Sequence, residues 1–167
     1  MPVAGSAGEA GAPGGGAGGE PGEPTDGGAG GAPPEPQPVE LAQGKPVTGS
    51  SQQGGNEFAK GNDGATDTRW CADNPSLPQW WRVDLGSERL LTSFSVHWEH
   101  GDRAYTYLIE TSNDDALFTT RVSNTATGSI QSADFPVSTR ARYVRITVTG
   151  ASPAGWASFY ELGVSGF

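Results

Sequence analysis

The chain has 167 residues and a formal net charge of −9, a length that bounds it to one or two domains. Its acidic balance contains no Lys/Arg cluster, which argues against nucleic acid and against an anionic membrane as partner. The single cysteine, Cys71, excludes an intrachain disulfide, and no run of ~18 apolar residues exists to form a membrane-spanning helix.

Residues 1–38 hold 13 of the 26 Gly and 8 of the 13 Pro, with no aromatic, Leu, Ile, Lys or Arg. Their only charges are Glu9, Glu20, Glu23, Asp26 and Glu35. Such a segment cannot bury enough apolar surface to offset its backbone entropy, so a disordered Gly/Ala/Pro/Glu-rich linker is predicted. Gly does not recur at every third position, which rules out a collagen-like strand. Residues 1–20 also lack the apolar stretch of a signal peptide. Tethers of this kind join modules or lead from a surface anchor. We therefore expect Met1 to start a fragment of a longer secreted or cell-surface protein, with a covalently linked catalytic or anchoring module outside this chain.

Residues 39–167 carry every Trp, Tyr and Phe, enough for one core. Their dominant period is two. In chain order, Trp81, Val83 and Leu85 alternate with Trp80, Arg82 and Asp84. Thr92, Phe94, Val96 and Trp98 alternate with Ser93, Ser95 and His97, and Tyr105, Tyr107 and Ile109 with Thr106, Leu108 and Glu110. Val144, Ile146 and Val148 repeat the pattern, and Leu162 and Val164 make a short last strand. Turn signals separate the runs: Asn62-Asp63-Gly64, Asn74-Pro75, Gly86-Ser87, Gly101-Asp102, Asn113-Asp114, Thr127-Gly128 and Ser152-Pro153. No ten-residue window reads as an amphipathic helix. The expectation is an all-β antiparallel sandwich.

Five stretches resemble discoidin domains, also called coagulation-factor type C domains. They are Asn62 to Trp70, Pro78 to Gly86, Val96-His97-Trp98-Glu99 with Tyr107 to Asp114, Ala141 to Ile146, and Trp156 to Val164. Their order is kept from about Leu41 to the C-terminus. The resemblance implies an eight-stranded antiparallel jelly-roll sandwich of the galactose-binding-domain type, spanning 39–167. It points in particular to bacterial members that act as lectin-like carbohydrate-binding modules on polysaccharide-degrading enzymes. The function implied is non-catalytic binding of poly- or oligosaccharide, targeting an attached enzyme or surface protein. Cell adhesion or protein binding, as in animal relatives, is the alternative. Phospholipid binding is disfavoured, because the tips Asn74-Pro75-Ser76, Gly101-Asp102 and Gly128-Ser129 are neither apolar nor basic.

Family members also place a structural calcium ion where the loop from Lys60 to Thr68 meets the last strand. Carried over, the ligands are the carbonyls of Lys60, Ala65 and Tyr160, the carboxylates of Asp63 and Glu161, and the hydroxyl and carbonyl of Thr68. Calcium takes six to eight hard oxygens, and a short polar loop plus a distant acid suits it. The plainer reading is an ordinary Asp63-Gly64 turn with Glu161 as a surface acid.

Sugar sites combine an aromatic face with planar hydrogen-bonding groups, here expected on the loops Gln52 to Asn56, Arg69 to Asn74, Trp98 to Tyr105 and Ala154 to Trp156. Arg69 and Glu99 match positions that similar relatives use on oligosaccharides. Arg69 would donate to hydroxyls, and Glu99 would accept from hydroxyls or an amino group. Asp73, Asn74, His100 and Arg103 are neighbours able to tune selectivity, and Trp156 is the expected stacking aromatic. Each has a structural reading beside it: an Arg69–Glu99 pair, a turn role for His100, a solvated strand position for His97, and a cover over the calcium loop for Trp156. Trp70, Trp80 and Trp81 read as core, and Trp98 as either core or site.

Galactose-binding relatives often have His after the first-motif Trp, whereas Cys71 follows Trp70, and Trp98-Glu99 stands where a later Arg would lie. Glucosamine-type or β-glucan oligosaccharides therefore suit the acid-lined site at least as well. No carboxylate pair or oriented nucleophile is recognisable. Cys71 has His97 and His100 as possible bases, but it abuts Trp70 and reads as a buried, inert thiol.

Overall fold

The computed structural model describes residues 33–167; residues 1–32, most of the expected linker, lie outside the described residues. The strands are β1 (Val39–Glu40), β2 (Val47–Gly49), β3 (Trp70–Cys71), β4 (Gln79–Trp98), β5 (Ala104–Ser112), β6 (Thr119–Ala126), β7 (Ile130–Asp134), β8 (Arg140–Ser152) and β9 (Ser158–Gly166). A 3-10 turn at Phe58–Gly61 precedes β3. Every pairing is antiparallel. Nine segments take the place of the eight expected, because β1 and β3 are two-residue pieces lying end to end along β9.

Two layers share β4. Its first half pairs with β2 and β8, and the layer continues through β5 to β6. Its second half pairs with β7 and β9. The changeover is a register shift between Asp84 and Arg89, where Gly86 takes φ +88°, a conformation that a side chain would oppose. The Gly86 N–H donates to Asp84 Oδ1 at 2.8 Å. The two alternating runs read separately from the sequence are thus one bent strand, and Gly86-Ser87 is its corner rather than a turn between strands.

Strand parity sorts the aromatics. Trp70, Trp81, Trp98 and Phe159 are buried, and Phe159 lies 5.0 Å from Trp70 and 5.5 Å from Trp81, centroid to centroid. Trp98 stacks on Tyr105 at 4.0 Å and 11°, which makes it a core residue. Removing Phe159 from this cluster would open a large cavity, at a cost of about 3–5 kcal/mol. Trp80 departs from expectation: beside fully buried Trp81 it faces outward and is only half-buried.

β9 breaks the alternation. Phe159 and Leu162 are both buried, while Tyr160 and Glu161 between them are both partly exposed. The register passes from His97↔Glu161 to Trp98↔Phe159 and leaves Tyr160 as the extra residue of a β-bulge. That bulge turns Phe159 inward, while Glu161 keeps the outward place next to Leu162. The ring of Tyr160 meets His97 edge-on at 5.1 Å, so His97 is a half-buried packing partner and not a solvated strand residue.

The ends of β9 define two poles. Ser158 pairs with Cys71 at one, and Gly166 pairs with Val39 at the other.

Candidate functional site

Arg69 immediately precedes β3, Glu99 immediately follows β4, and Trp156 stands two residues before β9. Because β3, β9 and β4 are neighbours, these ends meet at one pole although they are far apart in sequence. There they wall a cavity of about 170 Å³ with Gln53, Cys71 and His100. Arg69, Glu99, His100 and Trp156 are brought together as the sequence suggested.

Arg69 Nε lies 3.0 Å from Glu99 Oε1, and His100 Nε2 lies 3.6 Å from Glu99 Oε2. The Arg69 Nε–H nevertheless finds no hydrogen-bond partner, so the pair is held by charge without a well-aligned bond. With 35% and 17% of the side chains exposed, such a pair contributes only about 0–1 kcal/mol.

Gln53 was not singled out from sequence beyond its stretch, because a polar loop residue carries no sign of its direction. Its Oε1 accepts from Asn56 Nδ2 at 2.8 Å, which leaves the Nε2 donors as the other end of the amide. Cys71 is 4% exposed. Burial and then Glu99 push its thiol upward, so it stays protonated and unreactive.

Three expected residues do not line the cavity. Asp73 donates its N–H to Ser51 Oγ at 3.2 Å, and its carboxylate accepts from Asn74 Nδ2. Asn74 Oδ1 accepts from Ser76 N at 2.9 Å. These side chains close their own turn. Arg103 turns away toward Gly155 and Tyr105.

A second corner lies where the Lys60 to Thr68 loop meets the β9 bulge. Asp63 Oδ1 accepts from Ala65 N at 2.9 Å and Oδ2 from Thr68 Oγ1 at 2.7 Å. Glu161 Oε1 accepts from Gly64 N at 2.9 Å. Partial burial pushes the Asp63 carboxyl up, but its hydrogen bonds from Thr68 and Ala65 outweigh that and leave it lowered. Glu161 is pushed up to about 7, first by burial and then by the Asp63 carboxyl beside it. The Lys60 ammonium is turned to Glu57 at 3.3 Å. Among the described residues no three His, Cys, Asp or Glu side chains converge, so any cation here would draw on hard hydroxyl and carbonyl oxygens plus two carboxylates. That donor chemistry fits calcium and not a softer metal.

The antiparallel sandwich thus carries, at its loop pole, a cavity walled by Arg69, Glu99 and one tryptophan. The F5/8 type C domain model matches residues 46–162, and the chain belongs to that family. No curated protein matches the chain. Among solved structures it is similar to chitosan-binding module 1 from a chitosanase/glucanase of Paenibacillus sp. IK-5, at 32% identity and TM-score 0.69, covering 75% of this chain and 98% of that one. Chitosan-binding module 2 of the same enzyme, solved in complex with chitotriose, is 34% identical with TM-score 0.68, covering 74% and 98%. The CBM32 of AlyQ, in complex with 4,5-unsaturated mannuronic acid, is 32% identical with TM-score 0.67, covering 75% and 97%.

Proposed function

We propose that the chain is a non-catalytic carbohydrate-binding module acting outside the cell. It would hold an attached catalytic or anchoring module against poly- or oligosaccharide containing glucosamine-type units. One observation carries this reading: a guanidinium, a carboxylate and a tryptophan from three separate loops share the wall of one cavity. Trp156 offers a face for a sugar ring, Arg69 donates to hydroxyls, and the Glu99 carboxylate suits the ammonium of an amino sugar. The names of the two Paenibacillus modules support this choice of sugar, and their derivation from a chitosanase/glucanase supports a linked catalytic partner. A single small site binds weakly, so its value lies in raising the local concentration of whatever is tethered to it.

The test is calorimetric titration with a panel of oligosaccharides that includes chitotriose. Arg69→Ala and Glu99→Ala should each weaken binding by about ten-fold or more. Unchanged affinity in both variants would remove the cavity from consideration. Silence across the sugars together with capture of a protein partner would favour adhesion.

The same proposal includes a structural calcium ion held by Asp63, Glu161, the hydroxyl and carbonyl of Thr68 and the carbonyls of Lys60, Ala65 and Tyr160. Its support is the convergence of two acids 98 positions apart, through Gly64 and the β9 bulge. Bound there, the ion would neutralise both carboxylates and tie the Arg69-bearing loop to β9.

A further inference from the structure

Arg103 lies in the turn after β4, where its N–H donates to His100 O at 3.2 Å. Its side chain reaches across to the loop that precedes β9. A Cβ built on Gly155 would meet the Arg103 guanidinium at 2.4 Å from Cζ, 2.5 Å from Nη1 and 2.6 Å from Nη2. The planar group therefore packs on the Gly155 backbone, in the space that a side chain at position 155 would enter. Its other neighbour is Tyr105: Nη1 lies 3.4 Å from Tyr105 Oη, and Cζ stands 5.9 Å from the Tyr105 ring centroid. Tyr105 is itself locked by its stack on Trp98. Gly155 is the residue before Trp156. The loop from Pro153 to Ala157 that carries Trp156 has no strand pairing, and this contact ties it to the rigid β4–β5 corner.

We propose that Arg103 is a positioning residue: a strap that joins the loop bearing Glu99 and His100 to the loop bearing Trp156 and holds the indole where a sugar ring can stack. The inference rests on the sugar-binding reading, and it replaces direct ligand contact as the role of Arg103. A flat, five-donor guanidinium is required, since an ammonium cannot cover a backbone face.

Two cycles on the full chain test it. In the first, chitotriose is titrated into the parent, Arg103→Ala, Arg103→Lys, Trp156→Ala and the Arg103→Ala/Trp156→Ala double variant. Arg103→Ala and Arg103→Lys should each lose about ten-fold in affinity, and Arg103→Ala should cost nothing further once Trp156 is gone. Losses that multiply instead would mean that Arg103 reaches the sugar itself, and would overturn the proposal. So would full retention of affinity by Arg103→Lys. The second cycle needs no ligand. Gly155→Ala should lower the melting midpoint of the parent but leave that of Arg103→Ala unchanged, whereas an equal drop in both backgrounds would show that the strap does not exist. If the parent takes up no chitotriose, the sugar reading fails alone and the melting cycle still decides the contact.

Discussion

Glu110 alternates with the inward Tyr105, Tyr107 and Ile109 and so belongs to the outer face of β5, yet only 8% of it is exposed. Arg145 covers it, donating from Nε and Nη2 at 2.9 Å each, and Thr147 Oγ1 adds a bond at 2.6 Å. The Arg145 guanidinium is capped in turn by Phe118, 3.8 Å from its ring centroid. Burial pushes the Glu110 carboxyl up, but the bonds from Arg145 and Thr147 prevail and hold it below the ordinary 4.5. A depressed folded-state value stabilises above the unfolded value, and that stabilisation is lost as pH falls through the folded one. Glu110→Gln should therefore cost about 1–3 kcal/mol at pH 7, with a smaller gap to the parent at an acidic pH where the Glu110 carboxyl is protonated. Melts at both pH values decide this; an equal gap at each would mean that the ion pair is not the source.

The same scale separates what could be read at the site from what could not. Arg69, Glu99 and Trp156 were legible because they flank recognisable strand motifs, and a strand end fixes where its next residue emerges. Asp73, Asn74 and Arg103 were placed by adjacency alone. Adjacency does not tell whether a side chain faces a cavity or closes its own turn.

Among the elements, β9 matters most. Two-residue alternation counted back from Leu162 and Val164 would turn Glu161 outward and Phe159 outward as well. The bulge at Tyr160 keeps Glu161 outward and sends Phe159 into the core. If calcium joins Asp63 to Glu161, it ties the loop after the 3-10 turn to this strand. Adding calcium to EDTA-stripped protein should then raise the melting midpoint by several degrees, on the order expected for a ligand at ~100 times its Kd. Asp63→Ala and Glu161→Gln should abolish the rise. A midpoint indifferent to calcium in the parent would remove the ion from the account.

At the scale of the whole domain, the two ends of β9 keep separate jobs apart. The cavity lies by the Ser158 end, and β1 enters by the Gly166 end, roughly 25 Å away at ~3.3 Å per residue. Val39 therefore enters the domain at the pole away from the cavity. Deleting residues 1–32 should leave both the melting midpoint and chitotriose affinity within error of the full chain. A drop in either would show that the segment packs on the domain.

Period-two patterning, turn residues and the confinement of aromatics to 39–167 determined by themselves that this is an all-β sandwich, since alternation can bury one face only in a sheet. Motifs in order determined the family, because each sits at a strand end or packing position. Tertiary structure alone decided that β4 bends through both layers, that Phe159 turns into the core at the β9 bulge, and that Arg103 packs against the loop bearing Trp156. Those outcomes depend on a glycine corner, a single extra residue in β9 and the direction of side chains across a gap. None of these is encoded in local periodicity; each emerges when strands distant along the chain settle into register.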